Sequence, residues 1–172
     1  MQSANAKTDS VKVLRAEVEE HVIERIATCR CGRLRALCTG EPVRISVCHC
    51  LDCQKRSGSA FAAQARWPDA QVKIIGEAKT WVRVADSGRR ATYRFCPDCG
   101  STVAFLIEGW PGLTAVPLGA FADPTFPSPK FSVYEHRKHV WTAVLGDGVE
   151  HSSTPSGARS PSGDAQLQSG RG

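Results

Sequence analysis

Three cysteines occupy six positions in "VCHCLDCQKRSGSAF", Val47 to Phe61: Cys48, Cys50 and Cys53. Three thiols cannot all pair with one another, and a Cys-x-Cys bridge strains the separation of roughly 4.4–6.8 Å between Cα atoms that a disulfide prefers. One metal ion uses all three. Two further pairs lie far apart in the chain, Cys29-x-Cys31 in "TCRCG" and Cys96-x-x-Cys99 in "FCPDCG". Zinc takes four thiolates in a tetrahedron, and structural sites draw them as two short pairs from separate segments. Cys29, Cys31, Cys96 and Cys99 meet that requirement, and Gly32 and Gly100 suit a tight turn around the ion after each pair. The predicted four-thiolate site ties an early segment to a late one and acts in folding.

Cys48, Cys50 and Cys53 remain for a second ion, one ligand short of closure. Three protein ligands with an open fourth position is the arrangement of a catalytic zinc. These three are therefore the candidate catalytic residues. Spacing leaves two alternatives open: a His, a water or the eighth cysteine closes this site as a structural one, or Cys48/Cys50 or Cys50/Cys53 pairs with Cys96/Cys99. Cys38 shares a strand face with Leu34 and Ala36 and reads as a small buried hydrophobe. On an extended segment His49 should point away from its two flanking ligands. His136 and His139 lack a partner motif and read as solvated.

Lys55, Arg56, Ser57, Gly58 and Ser59 follow the cluster. Such a loop can offer cations and backbone N–H groups to the carboxylates of a substrate. The same residues also read as a solvated helix end, with cations near its C-terminus and Gly58 as terminator. Phe61, Trp67, Trp81 and Phe95 read as core or as cover for the metal sites. Trp110 and Pro111 in "EGWPG" lie on a predicted loop and are candidates to roof a pocket.

The elements that must position these residues have period two. "RLRALC" sets Leu34, Ala36 and Cys38 against Arg33, Arg35 and Leu37, and "TGEP" turns the chain into "VRISVC", which predicts a hairpin. "FAAQARW", "QVKIIG", "TWVRVA", "ATYRF", "STVAFLI" and "LTAVPLGAF" are further strand-like runs bounded by turn residues. "LDCQKR" reads as helix, and "AEVEEHVIER" as helix or strand. The fold class is mostly β.

At 172 residues the chain suits one domain with a proper core. The expected folded unit runs from 11 to 150, after a flexible 1–10 and before a disordered Ser-, Gly-, Pro- and Gln-rich tail, 151–172. The net charge of +5 comes from 22 basic and 17 acidic residues without a basic run, so no nucleic-acid partner is expected. No apolar run is long enough for a span or a signal peptide, which points away from a membrane and toward the cytoplasm. Thiols stay reduced there, so eight cysteines argue for metal rather than disulfides.

The order "CRCG", "CHCLDCQKRSGSAF", "YRFCPDCGS" resembles the glutathione-dependent formaldehyde-activating enzyme family, which also includes centromere protein V. The resemblance spans Cys29 to Trp141. It implies a β-tent domain with two zinc ions: a structural one on Cys29, Cys31, Cys96 and Cys99, and a catalytic one on Cys48, Cys50 and Cys53. It also implies S-(hydroxymethyl)glutathione synthase activity, a carbon–sulfur lyase reaction run in reverse on glutathione and formaldehyde or a related aldehyde. Ser57, Gly58 and Ser59 match the family pattern. Where many members carry a Gly-Thr-Leu-Asp-Asp-Pro-like stretch and a His-led strand, this chain has "GAFADP" and "FSVYEHRKHVW"; Gly119, Asp123, Pro124 and Trp141 stay, while Ala122 and Ser132 stand where an Asp and the His are expected. Two rival readings remain: a non-catalytic zinc module that binds a protein partner, and a redox sensor whose cluster thiolates are oxidised.

Overall fold

The computed structural model describes residues 23–84 and 88–154. Expectations for the N-terminal residues, for most of "AEVEEHVIER" and for most of the C-terminal tail lie outside those residues. The architecture is mostly β, in two sheets. The smaller has the order β1-β2-β5, with β1 Glu24–Thr28, β2 Arg35–Thr39 and β5 Val72–Ile75, all antiparallel.

The larger sheet contains β3 Arg44–Cys48, β4 Ala62–Pro68, β6 Lys79–Val84, β7 Arg90–Phe95, β8 Thr102–Ile107, β9 Leu113–Pro117, β10 Phe131–Val133 and β11 Glu150–Ser152. Its strand order is β11-β10-β3-β4-β9-β8-β7-β6. The single α-helix among the described residues is α1, Leu51–Ser57. None of the described helices is long and apolar enough to cross a membrane.

The expected hairpin of β2 with β3 does not form. β2 pairs with β1 and β5, whereas β3 lies in the other sheet between β4 and β10. The reason is visible in burial. Every position of β3 is buried, as a central strand covered on both faces requires, while β2 leaves Arg35 exposed. Gly40, at φ +76°, and Pro42, which has no N–H, break the ladder and let the chain cross between sheets. The crossing is held at both ends: Val43 N–H donates to the Arg66 carbonyl at 2.8 Å, and the Trp67 indole N–H donates to the Gly40 carbonyl at 2.9 Å.

Alternation along the large sheet sorts its residues into two faces. One packs against the small sheet through Ile45, Ala65, Trp67, Val103 and Val116, which meet Ala27, Leu34, Ala36 and Cys38. The other carries Ala91, Tyr93, Phe105 and Ala115. Cys38 is fully buried, and burial pushes its thiol up to about 12, so it packs as an apolar group. Of the two readings of Trp81, core or cover for a metal site, core does not hold. Trp81 is 55% exposed on edge strand β6 and stacks on Tyr93 from outside, with ring centroids 5.7 Å apart.

Trp67 is the largest side chain with no exposure, and its ring lies 5.7 Å from Phe121 and 6.4 Å from Phe126. Trp67→Ala removes this packing and orphans the Gly40 carbonyl. The expected loss is about 3–5 kcal/mol, read as a lower urea midpoint at unchanged m.

Candidate metal centres

The Sγ atoms of Cys29, Cys31, Cys96 and Cys99 all lie within 4.8 Å of one another, as do those of Cys48, Cys50 and Cys53. Cys96 and Cys99 thus sit with Cys29 and Cys31, not with the three-cysteine cluster. For zinc at about 2.3 Å from each sulfur, tetrahedral geometry places sulfurs about 3.8 Å apart. Cys29 to Cys31 is 3.5 Å and Cys31 to Cys96 is 3.6 Å. The donor set and spacing fit that ion.

Two matching turns build the four-cysteine site. Cys29 follows β1, and the Gly32 N–H closes back on its carbonyl at 2.9 Å; Cys96 follows β7, and the Gly100 N–H closes on its carbonyl at 3.0 Å. Gly32 at φ +78° and Gly100 at φ +71° occupy the left-handed region that the turns need. A register shift at Arg94/Phe95 re-aims the chain as it enters the second turn. Arg33 and Asp98 pair across the two turns at 3.0 Å, and the Leu34 N–H donates to Cys29 Sγ at 3.2 Å. Hydrogen bonding to the Ser101 side chain and backbone holds the Cys99 thiol at about 5. The site therefore fastens the small sheet to the large one.

Gly76 supports this site from below. Its φ is +100°, and a Cβ there would lie 2.1 Å from the Arg33 carbonyl oxygen. Gly76→Ala must displace the Arg33–Leu34 backbone that donates to Cys29. Expected is a loss of about 1–3 kcal/mol in urea unfolding, with faster zinc transfer to a chelator.

The three-cysteine cluster is built from a strand end and a helix start. Cys48 closes β3, paired to Ala62 on β4 and Val133 on β10. Cys50 is the N-cap of α1, its Sγ accepting from the Cys53 N–H at 3.4 Å. At the other end Gly58, at φ +63°, terminates the helix, with its own N–H and that of Ser59 both closing on the Gln54 carbonyl. Thiol donors from Cys48 and Cys53, helped by backbone N–H groups, pull the Cys50 thiol down to about 2, while Cys50 and Cys53, with burial, push Cys48 well above the ordinary thiol range. Three sulfurs this close share protons; only a bound cation lets all three ionise.

His49 does not join the group of sulfurs, and of the two places the sequence leaves for it, behind the ligands or at the surface, it takes a fully buried one. Its Nε2 lies 3.1 Å from Ser132 Oγ, and Ser132 donates to Glu135. Burial lowers the His49 pKa, so the ring is neutral with Nε2–H donating to Ser132. Burial also raises Glu135, but hydrogen bonds from Lys138, Ser132 and His151 outweigh it and hold the carboxyl at about 2. This buried chain pins the segment between Cys48 and Cys50. His139 is exposed and meets Gln54 Oε1 at 3.1 Å, while the Gln54 amide donates to the His49 carbonyl at 2.8 Å.

A cavity of about 360 Å³ opens on the cluster. Cys48, Cys50 and Cys53 all line it, whereas Cys29, Cys31, Cys96 and Cys99 do not. Tyr93, Phe105 and Ile107 form an apolar wall; of the two loop candidates for a roof, Trp110 lines the cavity and Pro111 does not. Asp52 of α1 pairs with Arg83 of β6 at the rim. Lys55, Arg56, Ser57, Gly58 and Ser59 are not among the lining residues. Lys55 is exposed; Arg56 lies over the Phe105 ring at 4.8 Å and the Tyr93 ring at 5.7 Å; Ser57 Oγ donates to the Cys53 carbonyl at 2.8 Å.

The motif reading does not single out Arg44 and Arg66, which also line the cavity. The signal was parity. Arg44, Ser46 and Cys48 occupy alternate positions of one strand, so an arginine shares the face of the first cluster cysteine.

Fold and site together define a two-sheet β protein with one closed and one open group of metal-competent thiols. The sequence pattern of the glutathione-dependent formaldehyde-activating enzyme family matches residues 24–137, and the chain belongs to that family. A crystal structure of a Rhodobacter sphaeroides protein is similar at 17% identity, covering 58% of this chain and 91% of that one, with a TM-score of 0.45. No curated protein matches the chain.

Proposed function

We propose that the chain is a zinc-dependent enzyme of the carbon–sulfur lyase type that joins an aldehyde, formaldehyde in the family's description, to a glutathione-type thiol. The observation that carries this reading is that all three sulfurs of the open cluster line the cavity while the closed cluster lies outside it. Cys48, Cys50 and Cys53 hold the catalytic ion, and Cys29, Cys31, Cys96 and Cys99 hold the structural one. When bound, zinc supplies Lewis acidity that polarises an aldehyde oxygen or lowers the pKa of a thiol.

The chain's own residues supply the rest. Cys50 sits at the start of α1, where backbone N–H groups favour a thiolate. Tyr93, Phe105 and Ile107 exclude water on one side, which strengthens the electrostatics of the cluster. Lys55 to Ser59 act by ending α1 and so setting the position of Cys53. In the reaction the thiol adds across the carbonyl: a C–S bond forms, the C=O π bond becomes a C–O single bond, and the thiol proton ends on oxygen. No oxidant or reductant is consumed. The cytoplasm, where glutathione keeps thiols reduced, is the compartment this reading expects.

Exchange NMR of formaldehyde, glutathione and their adduct tests it, because the uncatalysed condensation gives a background rate. Zinc-loaded protein is expected to raise the exchange rate in proportion to its concentration. A rate equal to background would overturn the assignment and favour a binding module.

A further inference from the structure

The cavity has a second chemical end. In the antiparallel pairing of β3 with β4, Arg44 stands directly opposite Arg66, with Ser46 opposite Gln64 and Cys48 opposite Ala62. Both arginines are nearly buried, 7% and 6% exposed, and both line the cavity. Like charges facing each other across a sheet are destabilising, and burying guanidinium groups adds to the penalty. A fold that keeps such a pair has a use for its field.

Aromatic faces contact both guanidinium groups. Arg44 lies 3.4 Å from the Phe131 centroid and 5.0 Å from that of Trp110; Arg66 lies 4.6 Å from the same Trp110 ring. Ring contacts hold a guanidinium without consuming its N–H donors. Arg66 donates to Ser46 Oγ at 3.2 Å, and none of the ion pairs of the described residues includes it. Burial lowers its pKa to about 10, which leaves it charged at neutral pH. Arg44 additionally feels the carboxylate of Glu150.

We infer that Arg66, assisted by Arg44 and roofed by Trp110, is the carboxylate-binding end of the cavity and sets specificity for an acidic thiol substrate. The inference rests on the proposal that the thiol reacts at Cys48, Cys50 and Cys53. Four residue steps of strand separate Arg44 from Cys48, about 13 Å of backbone. With the Arg66 guanidinium reaching Ser46 Oγ, midway along that strand, the substrate must carry its carboxylate several bonds from its sulfur. Arginine's planar fork matches a carboxylate's two oxygens, which a lysine at the same place would not.

Calorimetric titration of the zinc-loaded protein uses three probes: glutathione, S-methylglutathione with its thiol blocked, and glutathione diethyl ester with its carboxylates blocked. Arg66→Gln is expected to weaken both acids by about 10- to 100-fold and to leave the diester unchanged, with Arg66→Lys between. The same Arg66→Gln protein is expected to unfold at a higher urea concentration, because one of two facing charges is gone. An arginine needed only for structure would lower that midpoint instead.

Wild-type protein that binds no acid probe, or acids that bind Arg66→Gln as tightly as wild type, would overturn the anion site. If Cys50→Ser weakens glutathione while Arg66→Gln weakens nothing, the thiol reading stands and the arginine assignment falls. If Arg66→Gln weakens both acids equally and Cys50→Ser weakens neither, the anion site stands and the thiol reading falls.

Discussion

Cys96→Ser is expected to abolish cooperative folding, and chelation strong enough to strip both centres is expected to do the same to the wild type. Cys96 is fully buried, in the same core cluster as Cys29, where the small sheet meets the large. Besides the contact of that core, the four-sulfur site, the Arg33–Asp98 pair and a hydrogen bond from the Arg30 N–H to Ser101 Oγ join the sheets here. That pair is exposed, and exposed ion pairs contribute little. A structural zinc contributes about 10–16 kcal/mol of apparent binding free energy in zinc-finger peptides, which rivals or exceeds the roughly 5–15 kcal/mol stability of a domain. Losing one thiolate leaves a poorly held ion and three crowded sulfurs, of which Cys29 is buried. Circular dichroism during urea unfolding, with zinc counted by a colorimetric chelator, reads the outcome. The expected wild type carries two zinc ions, one exchanging quickly and one released only on unfolding. A Cys96→Ser protein that unfolds cooperatively at the wild-type midpoint would show that the site is dispensable for the fold.

Cys50→Ser separates chemistry from stability more cleanly. Serine is among the favoured N-cap residues, so its hydroxyl replaces the sulfur as acceptor for the Cys53 N–H and α1 keeps its cap. The main strands and the four-cysteine site are untouched. The second centre, however, loses one of three thiolates, the one held lowest by its neighbours. Exchange of formaldehyde and glutathione is expected to fall toward the spontaneous rate, a loss of about 100-fold or more in the catalysed part, with one zinc ion lost per chain. With the quickly exchanging zinc removed from both proteins, the free energy of unfolding should stay within about 0.5 kcal/mol of wild type. Retention of the catalysed rate would remove the reaction from this cluster.

Much of the molecule was legible before folding was considered. The strand-like runs from "FAAQARW" to "LTAVPLGAF" correspond to β4 through β9, and "LDCQKR" to α1, because turn residues and period-two alternation are local signals. The β2–β3 hairpin failed because alternation cannot report which sheet a strand joins. A strand buried on both faces, as β3 is, has no polar face to mark its partner. Trp81 illustrates the same limit from the other side: its residue type suggests burial, but its strand is the edge of the large sheet.

The sequence by itself determined the family, the mostly β class and the identity of the seven thiols able to hold metal, since thiolate chemistry and short spacing need no distant partner to be recognised. Only the tertiary structure decided which sulfurs meet across distant segments, and that one group faces a cavity while the other lies outside it, between the core and the surface. It alone set Arg44 against Arg66, because cross-strand neighbours are fixed by register and sheet order rather than by proximity in the chain. Charge, burial and access at the candidate site are properties of that pairing. They arise when strands from 44 to 107 bring one face of each to the same cavity.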